Sequence, residues 1–168
     1  MILLSNALLL IVTVLTGAVK RWREYYNTVL LVSLCNLLYN FLCRERMTWI
    51  FHPEMMLSHK AADLLNTFVL LPATTILYLY YFPGSASKGK KWLYYILWVA
   101  GFSALEWVWL RSGTIAYDNE WTYFWSIGFC VVMFYILRLH HTHPGRALLL
   151  SAAVVTFLTL RFHIPLGA

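Results

Sequence analysis

Six apolar stretches, separated by short polar or basic connections, constrain this chain more than any other feature. They lie at Ile2–Val19, Thr28–Cys43, Ala61–Phe82, Trp92–Leu110, Trp121–Leu137 and Ala147–Leu166. A helix needs about 20 apolar residues to cross the ~30 Å hydrocarbon core of a bilayer, and these stretches approach that length. In lipid every backbone N–H and C=O must find its partner within the protein, which leaves only helices or a closed barrel. The period-two alternation of barrel strands is absent here. The expected fold is therefore all-α, a polytopic integral membrane bundle of about six transmembrane helices. With 61% hydrophobic and 12% charged residues, the chain has too little polar surface to coat a water-soluble globule. The short connections predict a single transmembrane domain over residues 1–168 with no soluble domain. The first stretch lacks a basic segment ahead of it and reads as a retained span rather than a cleaved signal.

The net charge of +6 is carried mainly between the apolar stretches, where basic residues act as topology signals and lipid contacts; nucleic acid is not an expected partner. If the N-terminus is outside, the cytoplasmic connections hold Lys20, Arg21, Arg23, Lys88, Lys90, Lys91, Arg138 and Arg146. The outer side keeps Arg44, Arg46, Lys60, Arg111 and Arg161. That bias favours both termini outside. Cys35, Cys43 and Cys130 lie in or beside apolar stretches and read as small buried hydrophobes rather than a disulfide framework.

Glu106 sits inside the fourth stretch, where an ionisable group is costly unless it is paired, protonated or turned toward a watery cavity. By the ~1.5 Å rise of a helix it lies about 7.5 Å inside Arg111, and Asn40 and Asn36 lie about 6 and 12 Å inside Arg44. Asp63 follows Lys60 by one turn. Asn36 and Asn40 share a helix face, as do His59, Asp63 and Asn66. Tyr117, Trp121 and Trp125 stand at the same level around the start of the fifth stretch. All these groups belong to the outer half of the membrane, so helices two to five can bring them around one pocket. The alternative is a hydrogen-bonded network that glues helices together.

Three functional classes follow. The leading one is a transporter-like or sensor-like protein that binds a small or amphiphilic molecule in an outer-leaflet pocket of Glu106, Asp63, Asn36, Asn40, Asn66, Tyr117, Trp121 and Trp125. The second is an intramembrane enzyme using Glu106 or Asp63 for acid–base work or metal-assisted hydrolysis. His59 and Asp63 are one helical turn apart, and His52 or Glu106 could complete three ligands around an open zinc position. The third is a non-catalytic membrane scaffold. No phosphate loop, CxxC pair, His-Glu-x-x-His helix or Gly-x-Ser-x-Gly elbow appears, so no cofactor is predicted and enzyme readings stand second. The His140, His141 and His143 cluster lies one membrane thickness away from Glu106 and reads as a headgroup contact. The sequence leaves the oligomeric state open.

Two breaks complete the reading. Pro72 should kink the third helix by removing the hydrogen bond to the Phe68 carbonyl, with Thr74 and Thr75 available to satisfy freed carbonyls. The connection Arg44–Lys60 is nearly as apolar as a span and is interrupted by Pro53, which predicts a segment packed along the outer interface or folded over the pocket as a lid. In a lid, Trp49 and Phe51 should meet the outer ends of helices three to five.

With these residues in view, the chain resembles an uncharacterised family of short multi-spanning membrane proteins found mainly in endospore-forming Gram-positive bacteria. The likeness is carried by Asn36-Leu-Leu-Tyr-Asn40, Phe51-His-Pro53, His59 through Asp63, Leu71-Pro-Ala-Thr74, Leu105-Glu-Trp107, Trp125-Ser126 and Arg138-Leu-His140. The resemblance implies residence in a bacterial cell membrane, and it implies no particular reaction.

Overall fold

A computed structural model describes residues 1–52 and 58–165. Pro53 to Leu57, within the proposed lid, and Leu166, the expected end of the last span, lie outside the described residues. Six helices account for most of the chain. They are α1 (Ile2–Leu15), α2 (Trp22–Leu42), α3 (His59–Tyr80), α4 (Lys88–Arg111), α5 (Tyr123–Thr142) and α6 (Pro144–Arg161). Two three-residue strands, β1 (Trp49–Phe51) and β2 (Ile115–Tyr117), stand between helices.

The fold is an all-α bundle with several long apolar helices, consistent with a polytopic membrane protein. Four of them, α3 to α6, are individually long and apolar enough to cross a membrane; the α1–α2 pair adds a fifth span if it is counted as one broken crossing. This differs from six separate spans. At 14 residues α1 reaches only ~21 Å, short of the hydrocarbon thickness. Gly17, at φ 74°, stops it in the left-handed conformation that glycine adopts without a Cβ penalty. A 3-10 turn, Ala18–Arg21, then leads into α2, and the chain bends by 76°.

Helix α3 is the spine, with 56% of its apolar window buried, against 11% for α6. It packs on α1 and α2, while α5 packs on α2, α4 and α6. Where these faces meet, Tyr25 and Val32 of α2, Ile76 to Leu79 of α3, Val99 of α4, and Cys130, Phe134 and Leu137 of α5 form the core. Tyr78 and Phe134 are completely buried at its centre, their ring centroids 5.0 Å apart. The three cysteines are free thiols.

Pro72 does not interrupt α3. A π turn at Asn66–Leu70 widens the helix just ahead of the proline. There the Leu71 amide reaches back to the Asn66 carbonyl, so the Thr67 carbonyl would have to pair with residue 72, which has no N–H. Ser33 Oγ of α2 donates to that carbonyl instead, at 2.9 Å. Of the two threonines expected to serve locally, Thr75 bonds the Leu71 carbonyl at 2.8 Å, whereas Thr74 has no hydrogen-bond partner.

Candidate functional site

The end of the bundle near Glu106 is closed by the two strands, which pair antiparallel with Trp49 opposite Tyr117, Ile50 opposite Ala116 and Phe51 opposite Ile115. Local chemistry prepares both. After α4 the chain turns through Gly113 at φ 69°, with Thr114 N–H returning to the Trp109 carbonyl and Gly113 N–H to that of Leu110. This double closure satisfies the last carbonyls of the helix and launches β2. On the other side the Tyr39 hydroxyl accepts the amide protons of Thr48 and Trp49, at 3.1 and 2.9 Å, so α2 holds the start of β1. Asn119 fastens the outer edge, accepting from Arg46 Nε at 3.0 Å and donating to the Met47 carbonyl at 2.7 Å.

The ribbon carries the partners of Glu106. Trp49 Nε1 donates to Glu106 Oε1 at 2.8 Å, and the Tyr117 hydroxyl donates to the same oxygen at 2.9 Å. Buried Ser126 accepts from Trp121 Nε1 at 2.8 Å and more weakly from Trp49 Nε1 at 3.3 Å. Burial pushes the Tyr117 phenol above its ordinary range, and the neighbouring carboxylate adds in the same direction, so this hydroxyl keeps the proton it donates. Trp49 is further packed between Tyr39, Trp121 and Phe129 at centroid distances of 4.9–5.4 Å. Phe51 packs on Trp109 of α4 and His59 of α3.

Glu106 is thus bonded directly to the two connections and to none of Asn36, Asn40, Asp63 or Asn66. Asn36 and Asn66 belong to a second network, around the π turn. Asn6 Nδ2 donates to Asn66 Oδ1 at 3.1 Å, and Asn36 Nδ2 donates to Thr67 Oγ1 at 2.7 Å. Asn6 was missed by sequence reasoning because the first apolar stretch reads as uniformly greasy. Asn40 is half-buried and is not on the wall of the cavity described below.

His59 and Asp63 do meet. His59 Nδ1 lies 3.2 Å from the Phe51 amide and 3.1 Å from the Phe51 carbonyl, and its Nε2 lies 3.2 Å from Asp63 Oδ2. His52 is exposed and does not join them; among the described residues no three His, Cys, Asp or Glu side chains are placed to hold one metal ion. The histidines at the far end are dispersed too. His140 Nδ1 bonds Thr28 Oγ1 at 3.0 Å, and His141 packs on Tyr25.

Between the two networks lies a cavity of about 230 Å³. Glu106, Asp63, Asn36 and Asn66 are on its wall, with Trp49 and Trp121 at the ribbon end. The remaining wall is almost wholly apolar and runs down α2 (Val32, Cys35) and α6 (Val154, Val155, Leu158), floored by α5. Tyr117 meets the cavity only through Glu106. Trp125 is not on its wall; its ring meets Phe157 of α6 and Phe162 just past the end of that helix, with Arg161 over its face. In comparisons with known proteins, the chain matches no family model, no curated protein and no solved structure.

Proposed function

We propose that the protein is a multi-pass component of a bacterial cell membrane that binds a small amphiphilic molecule on the outer-leaflet side, as a transporter or sensor. The observation that carries this reading is the make-up of the cavity: a few polar side chains, Glu106, Asp63, Asn36 and Asn66, set in a wall that is otherwise almost wholly apolar along α2 and α6. A polar head offering hydrogen-bond donors suits Glu106 and Asp63, and an apolar tail suits the wall. The orientation rests on Lys20, Arg21, Arg23, Lys88, Lys90, Lys91, Arg138 and Arg146, which face the cytoplasm by the excess of basic residues there. With α1 and α2 taken as separate crossings, both termini are then outside. The resemblance to membrane proteins of endospore-forming Gram-positive bacteria supports the same residence.

The ribbon serves as the lid of this cavity. Its opening must break the bonds of Glu106 to Trp49 and Tyr117, so ligand and ribbon compete for the same carboxylate. The test is mass spectrometry of small molecules co-purifying with the protein from its membrane in mild detergent. An amphiphile bound near one equivalent by the wild type, and lost in the cavity-filling Val155→Trp variant, supports the reading. Identical lipid content in both proteins counts against it.

A further inference from the structure

Glu106 and Asp63 are both on the wall of the 230 Å³ cavity, whereas no Lys, Arg or His among the described residues is. Glu106 pairs with no basic side chain among those residues, and its two donors share Oε1, so Oε2 accepts no bond from them. Asp63 meets one imidazole, with His59 Nε2 3.2 Å from Oδ2, and its Oδ1 accepts no bond from a described residue. Even with His59 protonated, two carboxylates against one imidazolium leave the cavity negative. A carboxylate at membrane depth is costly without a countercharge, so the cavity favours a cation.

A second observation concerns Asn66, which is only 7% exposed and also stands on the wall. Its Oδ1 accepts from Asn6 Nδ2 at 3.1 Å, and Asn6 Nδ2 donates in addition to the Ile2 carbonyl at 3.0 Å. Those two bonds fix which way both amides point, and they leave the Asn66 Nδ2 hydrogens without an acceptor among the described residues. An unused donor on the wall calls for an acceptor on the ligand. The Trp109 indole N–H and the Ser151 hydroxyl, on two other wall residues, are sealed in the packing and offer the cavity nothing. The indoles of Trp49 and Trp121, with centroids 4.9 Å apart, are on the wall as well, and indole is the side-chain ring that attracts a cation most strongly.

We propose that the ligand of this cavity is a cationic amphiphile, an inference that rests on the amphiphile reading above. Its head is a protonated amine whose N–H groups go to Glu106 and Asp63, with an acceptor oxygen on the same head for Asn66. Its chain lies against Val154, Val155 and Leu158. At the ~30 Å³ that a water molecule occupies, the cavity holds about eight non-hydrogen atoms, enough for such a head with a short chain.

The test is thermal unfolding of the full-length protein in phosphatidylcholine nanodiscs at pH 7, titrated with 2-aminohexan-1-ol, hexylamine, hexan-1-ol or hexanoate. Alkylamines titrate near lysine and are cationic at this pH. 2-Aminohexan-1-ol should bind about tenfold more tightly than hexan-1-ol or hexanoate, with hexylamine between them. Glu106→Gln should weaken the amino alcohol about tenfold and leave hexan-1-ol unchanged; Asp63→Asn takes its place if that variant fails to fold. Glu24→Gln, at the opposite end of the bundle, should bind as wild type. Binding of hexan-1-ol or hexanoate as tight as that of the amines, and lost in Val155→Trp, would overturn the cationic head while leaving the amphiphile site in place. Amine binding that survives both Glu106→Gln and Asp63→Asn would overturn it too. No binding by any of the four would end both readings, and equal affinity for hexylamine and 2-aminohexan-1-ol would remove the acceptor oxygen assigned to Asn66.

Discussion

Trp49 and Tyr117 face one another across the β1–β2 ribbon and donate to the same oxygen of Glu106, so one carboxylate on α4 holds both strands. Removing either donor should cost about 0.5–1.5 kcal/mol, the usual net contribution of a hydrogen bond. Trp49→Phe and Tyr117→Phe should therefore both unfold earlier in detergent. Their double variant should depart from additivity, because each donor changes the charge density available to the other. Strict additivity would mean that the shared oxygen does not couple them.

Glu106→Gln and Glu106→Leu should separate structure from binding. Glutamine keeps a carbonyl oxygen for the two donors and should fold within about 1 kcal/mol of wild type. Leucine strands both donors and should cost about 2–5 kcal/mol. If the carboxylate orients the head of an amphiphile, the glutamine variant should nonetheless lose the co-purifying molecule. A glutamine variant that retains it at wild-type occupancy would point to the apolar wall alone.

Ser33→Ala should destabilise the wild type by about 1 kcal/mol, as it leaves the Thr67 carbonyl without a donor beside Pro72. In a Pro72→Ala background the new backbone N–H can serve that carbonyl, and the same substitution should cost markedly less. Equal costs in the two backgrounds, read by thermal unfolding, would break the link between the proline and the serine.

Hydrogen exchange in nanodiscs should find the Trp49 amide protected by the Tyr39 hydroxyl. Tyr39→Phe should speed its exchange about tenfold, the consequence of losing roughly 1.4 kcal/mol from the closed ribbon. Exchange that is already fast in the wild type would remove the ribbon as a closure.

Thiol labelling of intact cells with an impermeant reagent tests the orientation. Cysteine at Ser112, beside the ribbon, should label from outside, while cysteine at Gly89, among the lysines of α4, should label only after permeabilisation. The reverse pattern would place the Glu106 cavity in the inner leaflet.

Sequence alone determined the helical character, because lipid leaves the backbone no other open-ended solution and long apolar stretches reach that condition locally. It also singled out Glu106, whose cost in hydrocarbon is a property of one residue, and the polar side chains Asn36, Asp63 and Asn66, which share the cavity wall with it. The packing of Trp49 and Phe51 against α3, α4 and α5 was foreshadowed by an unusually apolar connection, but its form as a strand was not: three residues carry no usable period.

Only the tertiary structure decided who satisfies whom. The Glu106 bonds join α4 to two connections, the Ser33 bond repairs a defect in a different helix, and Asn6 finds Asn66 across the bundle. Such pairings depend on which faces approach after packing, information no local window contains. The shortness of α1 arises the same way. Hydropathy runs on through Ala18 and Val19, but the left-handed turn at Gly17 redirects the chain, and Ala18 and Tyr25 beyond it pack into the core, a contact that hydropathy does not encode.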